Sequence, residues 1–215
     1  MRSTAQPLLL VFSLASLGAA APACGGDSAG SASDAVGGDA DVVVDDRIDA
    51  ACADPSWQAG ACAAPVVTAY ETAPATHIPD GEPVPIDGNP PTFGPHRPAW
   101  AKWGEYDYLG PQRWLHNLEH GGVAFLYHPC AEDAVVDALR AVAEARPDDD
   151  SGPFRWVMTP YPGLPSAVAV ITWGWLWEAE CVDAASIGAF IDDHYRDAPE
   201  DFGQDGSYED GWIGR

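Results

Sequence analysis

Apolar residues recur at two different periods through the middle of the chain, and the switches between them mark out most of its elements. Residues 111–119 read as a short helix, with Pro111 in its first turn and Gly121 just past its end. The unbroken apolar run Gly122-Val123-Ala124-Phe125-Leu126-Tyr127-His128 reads as a buried strand. Residues 131–145 are amphipathic at helical spacing, with Val135, Leu139 and Val142 along one side and Arg146-Pro147 closing the segment. Residues 154–159 and 167–175 read as two strands parted by the turn Pro160-Tyr161-Pro162-Gly163. Residues 184–195 form a last predicted helix with Ile187, Phe190 and Ile191 turned inward. The order β-α-β-β-α after the first helix predicts a small α+β domain: a mixed or antiparallel sheet with two or three helices.

The polar and irregular stretches divide the rest of the chain. Arg2, the apolar stretch beginning at Pro7 and the small residues Ala21-Pro22-Ala23 before Cys24 have the layout of an export signal over 1–23. The sequence around Cys24 resembles a bacterial lipobox, with Ala21 where leucine is usual, so Cys24 is the expected lipidation site. Residues 24–50 are Gly, Ala, Ser and Asp with almost no aromatic side chains. Such a stretch buries too little apolar surface to offset its ordering entropy, and it is expected to be a flexible acidic tether. A single domain is expected over 51–200, followed by an acidic tail over 201–215 that is partly draped over it. Within the domain, residues 76–103 are dense in proline and glycine. Because proline fixes its own φ and restricts its predecessor, this reads as a long, stiff, ordered loop.

Composition narrows the function. The formal charge of −23 repels phosphate backbones and argues against a nucleic-acid partner. The expected membrane contact is the N-terminal lipid alone, at the periplasmic face with the outer membrane preferred, since Gly25-Gly26 and no aspartate stand directly after Cys24. Cys24 apart, four cysteines remain, and an even number in an exported chain suits two disulfides. Three pairings are open; Cys52–Cys62 as a local staple and Cys130–Cys181 across the core are preferred.

Five of the six histidines, His77, His96, His116, His120 and His128, fall within 52 residues of one another. His116 and His120 stand four apart on the predicted helix. That spacing puts them on one face with Cβ atoms roughly 5–6 Å apart, a span that one metal ion bridges. Trp114, Leu115 and Leu118 occupy a different arc, so the pair lies outside the core stripe and competes only with an ordinary exposed histidine pair. The string His116-Asn117-Leu118-Glu119-His120 also fits the H-x-x-E-H pattern of inverted zinc peptidases, in which Glu119 would activate water and Glu200 stands at a plausible distance as a further ligand. A helix this short, in a chain this small, fits that fold poorly. Met158 on the following strand offers a thioether, against the ordinary reading of core filler. His128 reads as structural and His194 as solvent-facing. Trp100, Trp103, Trp114, Trp173, Trp175 and Trp177 are expected to pack against the prolines and fix the loop.

Taken in order, His77, the run Asn89-Pro90-Pro91-Thr92-Phe93-Gly94-Pro95-His96, Trp103-Gly104-Glu105-Tyr106, His116-Asn117-Leu118-Glu119-His120-Gly121-Gly122-Val123, Thr172-Trp173-Gly174 and Ala198-Pro199-Glu200 resemble the bacterial family catalogued as domain of unknown function 3105. The resemblance spans 76–200 and departs from the family pattern at Phe93, where that pattern has serine. It implies that His77, His96, His116, His120 and Glu119 fall at motif positions, and it carries no activity with it.

The resulting expectation is a lipid-anchored envelope protein that binds copper or zinc through His77, His96, His116 and His120, with Glu119 and Asn117 orienting the imidazoles. Two other readings stand beside it: a metal-dependent hydrolase with Glu119 as base, and a metal-free protein-interaction module.

Overall fold

A computed structural model describes residues 63–215. The export signal, Cys24, the tether, Cys52 and Cys62 lie outside the described residues. Seven strands build one open sheet: β1 (Val66–Ala69), β2 (Gly104–Tyr106), β3 (Val123–Tyr127), β4 (Trp156–Pro160), β5 (Val168–Thr172), β6 (Trp175–Ala179) and β7 (Trp212–Gly214). Their order across the sheet is β1-β6-β5-β3-β4-β2-β7. β4 runs parallel to β3 and to β2, and the other neighbours are antiparallel. Among the described residues three helices accompany the sheet: α1 (Pro111–Glu119), α2 (Asp133–Glu144) and α3 (Ala184–His194). The fold is α+β with a mixed sheet, and α1 has the bounds that Pro111 and Gly121 imply.

Strand alternation sorts the core into two layers. Ala124 and Leu126 of β3, Val157 of β4 and Ala169 and Ile171 of β5 meet Trp114, Leu115 and Leu118 of α1. Val123, Phe125, Trp156, Met158, Val168 and Val170 point the other way, against Leu139 of α2 and Ile187, Phe190 and Ile191 of α3. The central strands are therefore buried on both faces, which is why they read as unbroken apolar runs. Among the described residues no helix is long and apolar enough to cross a membrane. Cys130 and Cys181 are both disulfide-bonded.

Two expectations about the elements need correction. The strand expected over 167–175 is a hairpin: β5 reverses through Trp173-Gly174, Thr172 faces Trp175, and β6 continues to Ala179. The apolar run passes straight through the turn, so only Gly174, at φ +78°, marks the reversal. The acidic C-terminal residues are a working part of the domain. Tyr208 accepts from Lys102 N at 2.9 Å and donates its own N–H to Trp100 O at 3.0 Å, and β7 then pairs with β2. Close approach explains Gly206, where a Cβ would stand 2.1 Å from the Trp100 carbonyl oxygen.

The proline-rich loop is ordered because backbone and arginine tie it down. His96 N donates to Thr76 O at 3.0 Å and Ile78 N to His96 O at 2.8 Å, forming a parallel bridge that sets His77 beside His96. Arg97 donates from Nη1 to the carbonyls of Pro79 at 2.5 Å and Glu82 at 2.8 Å, pinning the adjoining turn. Trp103 and Trp114 are buried in the core layer that α1 joins.

Candidate metal centre

His116 and Glu119 of helix α1 and its C-capping residue His120 present a polar face beside the core stripe of Trp114, Leu115 and Leu118. This face is covered, not exposed: His116 and His120 each retain only 3% of their accessible surface. The loop covers it on one side and residues 196–206 on the other. The second cover also solves a problem at the helix end, where the last carbonyls have no partner within the helix. Glu200 N donates to Glu119 O, Phe202 N to His120 O and Arg196 N to Gly121 O, while Arg155 Nη1 donates to His120 O at 2.9 Å. Gly121, at φ +81°, turns the chain out of the helix.

Asn117 has a different task from the one expected. Its Nδ2 donates to Ala101 O at 2.8 Å and its Oδ1 accepts from Ala101 N at 3.0 Å. It clamps the loop to the helix, with both polar atoms of its side chain engaged by Ala101.

His77, His96, His116 and Glu119 converge. One ligand atom from each lies within 4.8 Å of every other. Glu119 Oε2 is the hub, 2.9 Å from His96 Nε2, 3.3 Å from His77 Nε2 and 3.7 Å from His116 Nε2. An ion about 2.0–2.1 Å from each donor needs tetrahedral edges of about 3.4 Å, so small side-chain shifts close the set. Two of the rings are already aimed. His96 donates from Nδ1 to Gly94 O at 2.9 Å and His116 from Nδ1 to Arg97 O at 2.7 Å. A carbonyl can only accept, so each Nδ1 carries the hydrogen and each Nε2 is left to face Glu119. Backbone carbonyls that fix the tautomer in this way are the usual support of histidine ligands. Glu119 thus stands inside the donor set rather than behind it, in the place expected of His120.

The family model described as "Protein of unknown function (DUF3105)" matches residues 77–206, more than half of the chain. The chain belongs to that family. No curated protein and no solved structure matches it. The matched stretch of this family domain begins at His77 and runs past Glu200 to Gly206, so it contains the whole quartet, His120 and the segment that covers α1. Phe93, the departure from the family pattern, meets Trp173 edge to face at 6.4 Å, and Trp173 in turn stands perpendicular to His96. Phe93 thus adds an aromatic contact behind His96.

Electrostatics follow from the burial. Desolvation pulls the His116 pKa down to about 4, against the hydrogen bond to Arg97 O and with the neighbouring rings of His96, His120 and His77 adding to the fall. The ring is therefore neutral at pH 7, with its Nε2 lone pair free. Burial works to raise the Glu119 pKa, but hydrogen bonding and charge from His96, with help from His116 and His77, outweigh it and the pKa is lowered. A neutral imidazole and a carboxylate, both acceptors, are thus aimed at one small volume. Such a group is at ease only with a proton or a cation between its members.

His120 lies at the edge of the quartet. Its Nε2 is 3.2 Å from His116 Nε2 and 3.2 Å from Glu200 Oε2. Its ring is boxed edge to face by Trp100 at 4.5 Å and Phe202 at 5.3 Å. The other sequence candidates fall outside the site. Met158 is fully buried on the α2–α3 side of the sheet, the wrong face to offer its thioether. His128 is buried and accepts from Cys130 N at 3.1 Å, a structural role. His194 is not solvent-facing: it stacks on Trp175 at 3.9 Å and meets Phe190 at 5.0 Å.

Glu119 as a donor was accessible from spacing alone, because i and i+3 on a helix share a face with His116. The orienting carbonyls of Gly94 and Arg97 had no signal in the sequence.

Proposed function

We propose that this domain binds one zinc or copper ion through Nε2 of His77, His96 and His116 and a carboxylate oxygen of Glu119. The observation that carries the reading is the convergence of those four donors, two of whose rings are locked by backbone carbonyls. Three imidazoles and one carboxylate suit zinc or copper(II) and do not suit calcium or magnesium, which take oxygen. With Met158 on the opposite face, the soft ligand that would favour copper(I) is missing from the set. The side chain of His77 keeps 48% of its surface while the other three donors are covered, so it is the solvent-facing ligand.

The peptidase-like alternative asks Glu119 to hold a water opposite a His116–His120 pair. Glu119 Oε2 instead sits against His96 and His77, where it serves as a ligand. We place the protein in the bacterial envelope, exported by residues 1–23 and anchored through lipid on Cys24, with the tether holding a metal-binding, buffering or delivering domain off the membrane. The support for that placement is the sequence of the leader.

Metal should raise stability strongly. A ligand that binds only the folded state adds about 2.7 kcal/mol at a free concentration a hundred times its dissociation constant. Thermal unfolding of the full chain is expected to shift upward with added zinc or copper, to return on chelation, and to show no shift with calcium or magnesium. Equal shifts with all four ions would indicate binding to the acidic surface and would remove the proposal.

A further inference from the structure

We infer that His120 and Glu200, together with His116, form an outer ion position through which metal enters and leaves the inner quartet. The inference rests on the metal reading above and adds a route to it. His116 is the hinge. Its Nε2 faces Glu119 Oε2 at 3.7 Å on one side and His120 Nε2 at 3.2 Å on the other, and His120 Nε2 is a further 3.2 Å from Glu200 Oε2. Both 3.2 Å separations lie close to the tetrahedral edge of about 3.4 Å that a single zinc or copper ion needs.

The Nε2 of His116 has one lone pair, and its Nδ1 hydrogen is committed to Arg97 O. The inner and outer positions therefore exclude each other. One ion exchanges between them, with His116 bound throughout, and two ions are never held side by side.

The two positions also differ in how firmly their ligands are held. In the inner set the Nδ1 atoms of His96 and His116 are fastened to carbonyls. The Nδ1 of His120 is buried and has no hydrogen-bond partner, so the ring is held only by the aromatic box of Trp100 and Phe202 and by the contacts of its Nε2 with His116 and Glu200. Glu200 has its backbone N–H on Glu119 O, yet its side chain keeps 57% of its surface in solvent. A ring with no backbone carbonyl on its Nδ1 and a carboxylate reaching solvent make a position that takes an ion readily and gives it up readily. An ion arriving from solvent meets Glu200 first, then His120, and passes to the locked set by way of His116.

The test is metal-exchange kinetics on the full chain carrying Glu200→Gln. Zinc loading, and zinc release to a chromophoric chelator, are followed by stopped flow beside equilibrium competition. Loading and release are both expected to slow about tenfold, the scale on which groups around a metal ligand act, with the dissociation constant unchanged. Because the side chain faces solvent, this variant is expected to fold as the parent does, and matched thermal unfolding of the metal-free proteins checks it. Glu144→Gln on α2, across the sheet, removes the same charge and is expected to leave both rates alone. Unchanged rates in Glu200→Gln overturn the inference, because the ion then passes only by His77. So does equal slowing in Glu144→Gln, which makes the effect one of overall charge. So does a weakened dissociation constant without matching change in loading, which makes Glu200 a ligand of the resting ion. If the unsubstituted chain takes up no zinc and no copper, the metal reading itself falls and this route with it.

Discussion

His96→Ala is expected to weaken zinc or copper binding by more than about a hundredfold, beyond the 10–100-fold usual for groups that merely orient ligands. His96 is fully buried, its Nδ1 is fixed on Gly94 O and its Nε2 makes the shortest contact to Glu119 in the cluster, 2.9 Å. No other side chain stands ready to take its position. The metal-free protein should behave differently. Removing His96 costs a hydrogen bond to Gly94 and some packing against Trp173, but it also relieves the crowding of imidazoles around one carboxylate. The metal-free variant is therefore expected to unfold close to the parent, while the metal-loaded parent unfolds far above the variant in the same metal. Isothermal titration and thermal unfolding with and without chelator read both halves. Full retention of affinity in His96→Ala would show that the ion, if any, binds elsewhere.

Arg155→Met is expected to cost about 3 kcal/mol of stability, the scale for removing one member of a buried, charge-assisted network. Arg155 is 1% exposed. Its Nη1 donates to His120 O at 2.9 Å and to Asp201 Oδ1 at 2.6 Å, and its Nη2 donates to Ser151 Oγ at 2.5 Å. Methionine fills much of the volume but leaves the His120 carbonyl with less support and Asp201 with only Arg196. Because Asp201 is half exposed, part of the charge is re-solvated, which holds the loss near the lower end for a buried pair. The effect should be local as well as global. Residues 196–202 close the end of α1, so hydrogen exchange is expected to rise at Glu200 N and Phe202 N in particular. Denaturant unfolding gives the first quantity and amide exchange the second; a loss below about 0.5 kcal/mol, the size of an ordinary surface substitution, would contradict the role assigned to Arg155.

These two residues mark what the sequence reveals and what it hides. Helix α1 is legible to the residue because Pro111 and Gly121 punctuate it, and its i, i+3, i+4 spacing already aligns His116, Glu119 and His120. The central strands are legible from their unbroken apolar runs. The hairpin at Trp173-Gly174 is not, because tryptophans on both sides of the turn keep the apolar pattern continuous. The partnership of His77 with His96 depends on a backbone bridge inside a loop with no period, so composition suggests order there without giving its shape. Arg155 and Asp201 are hidden for another reason, and Glu200 is legible as a candidate ligand but not as part of the cover of α1. Arg155 reaches the His120 carbonyl across 35 positions and Asp201 across 46, Glu200 lies 80 positions from His120, and nothing in a surface-like acidic stretch announces that it caps a helix. Spacing aligns Glu119 and His120 with His116 without ranking them, and the structure sets Glu119 among the converging imidazoles and His120 at their edge.

X-ray absorption at the metal edge of the zinc- or copper-loaded chain tests the centre most directly. The expected spectrum has a first shell of nitrogen and oxygen at about 2.0–2.1 Å with the outer-shell scattering of three imidazole rings, and it loses one ring in His96→Ala. Sulfur scatterers at about 2.3 Å, or an oxygen shell without imidazole scattering, would contradict a site built from His77, His96, His116 and Glu119.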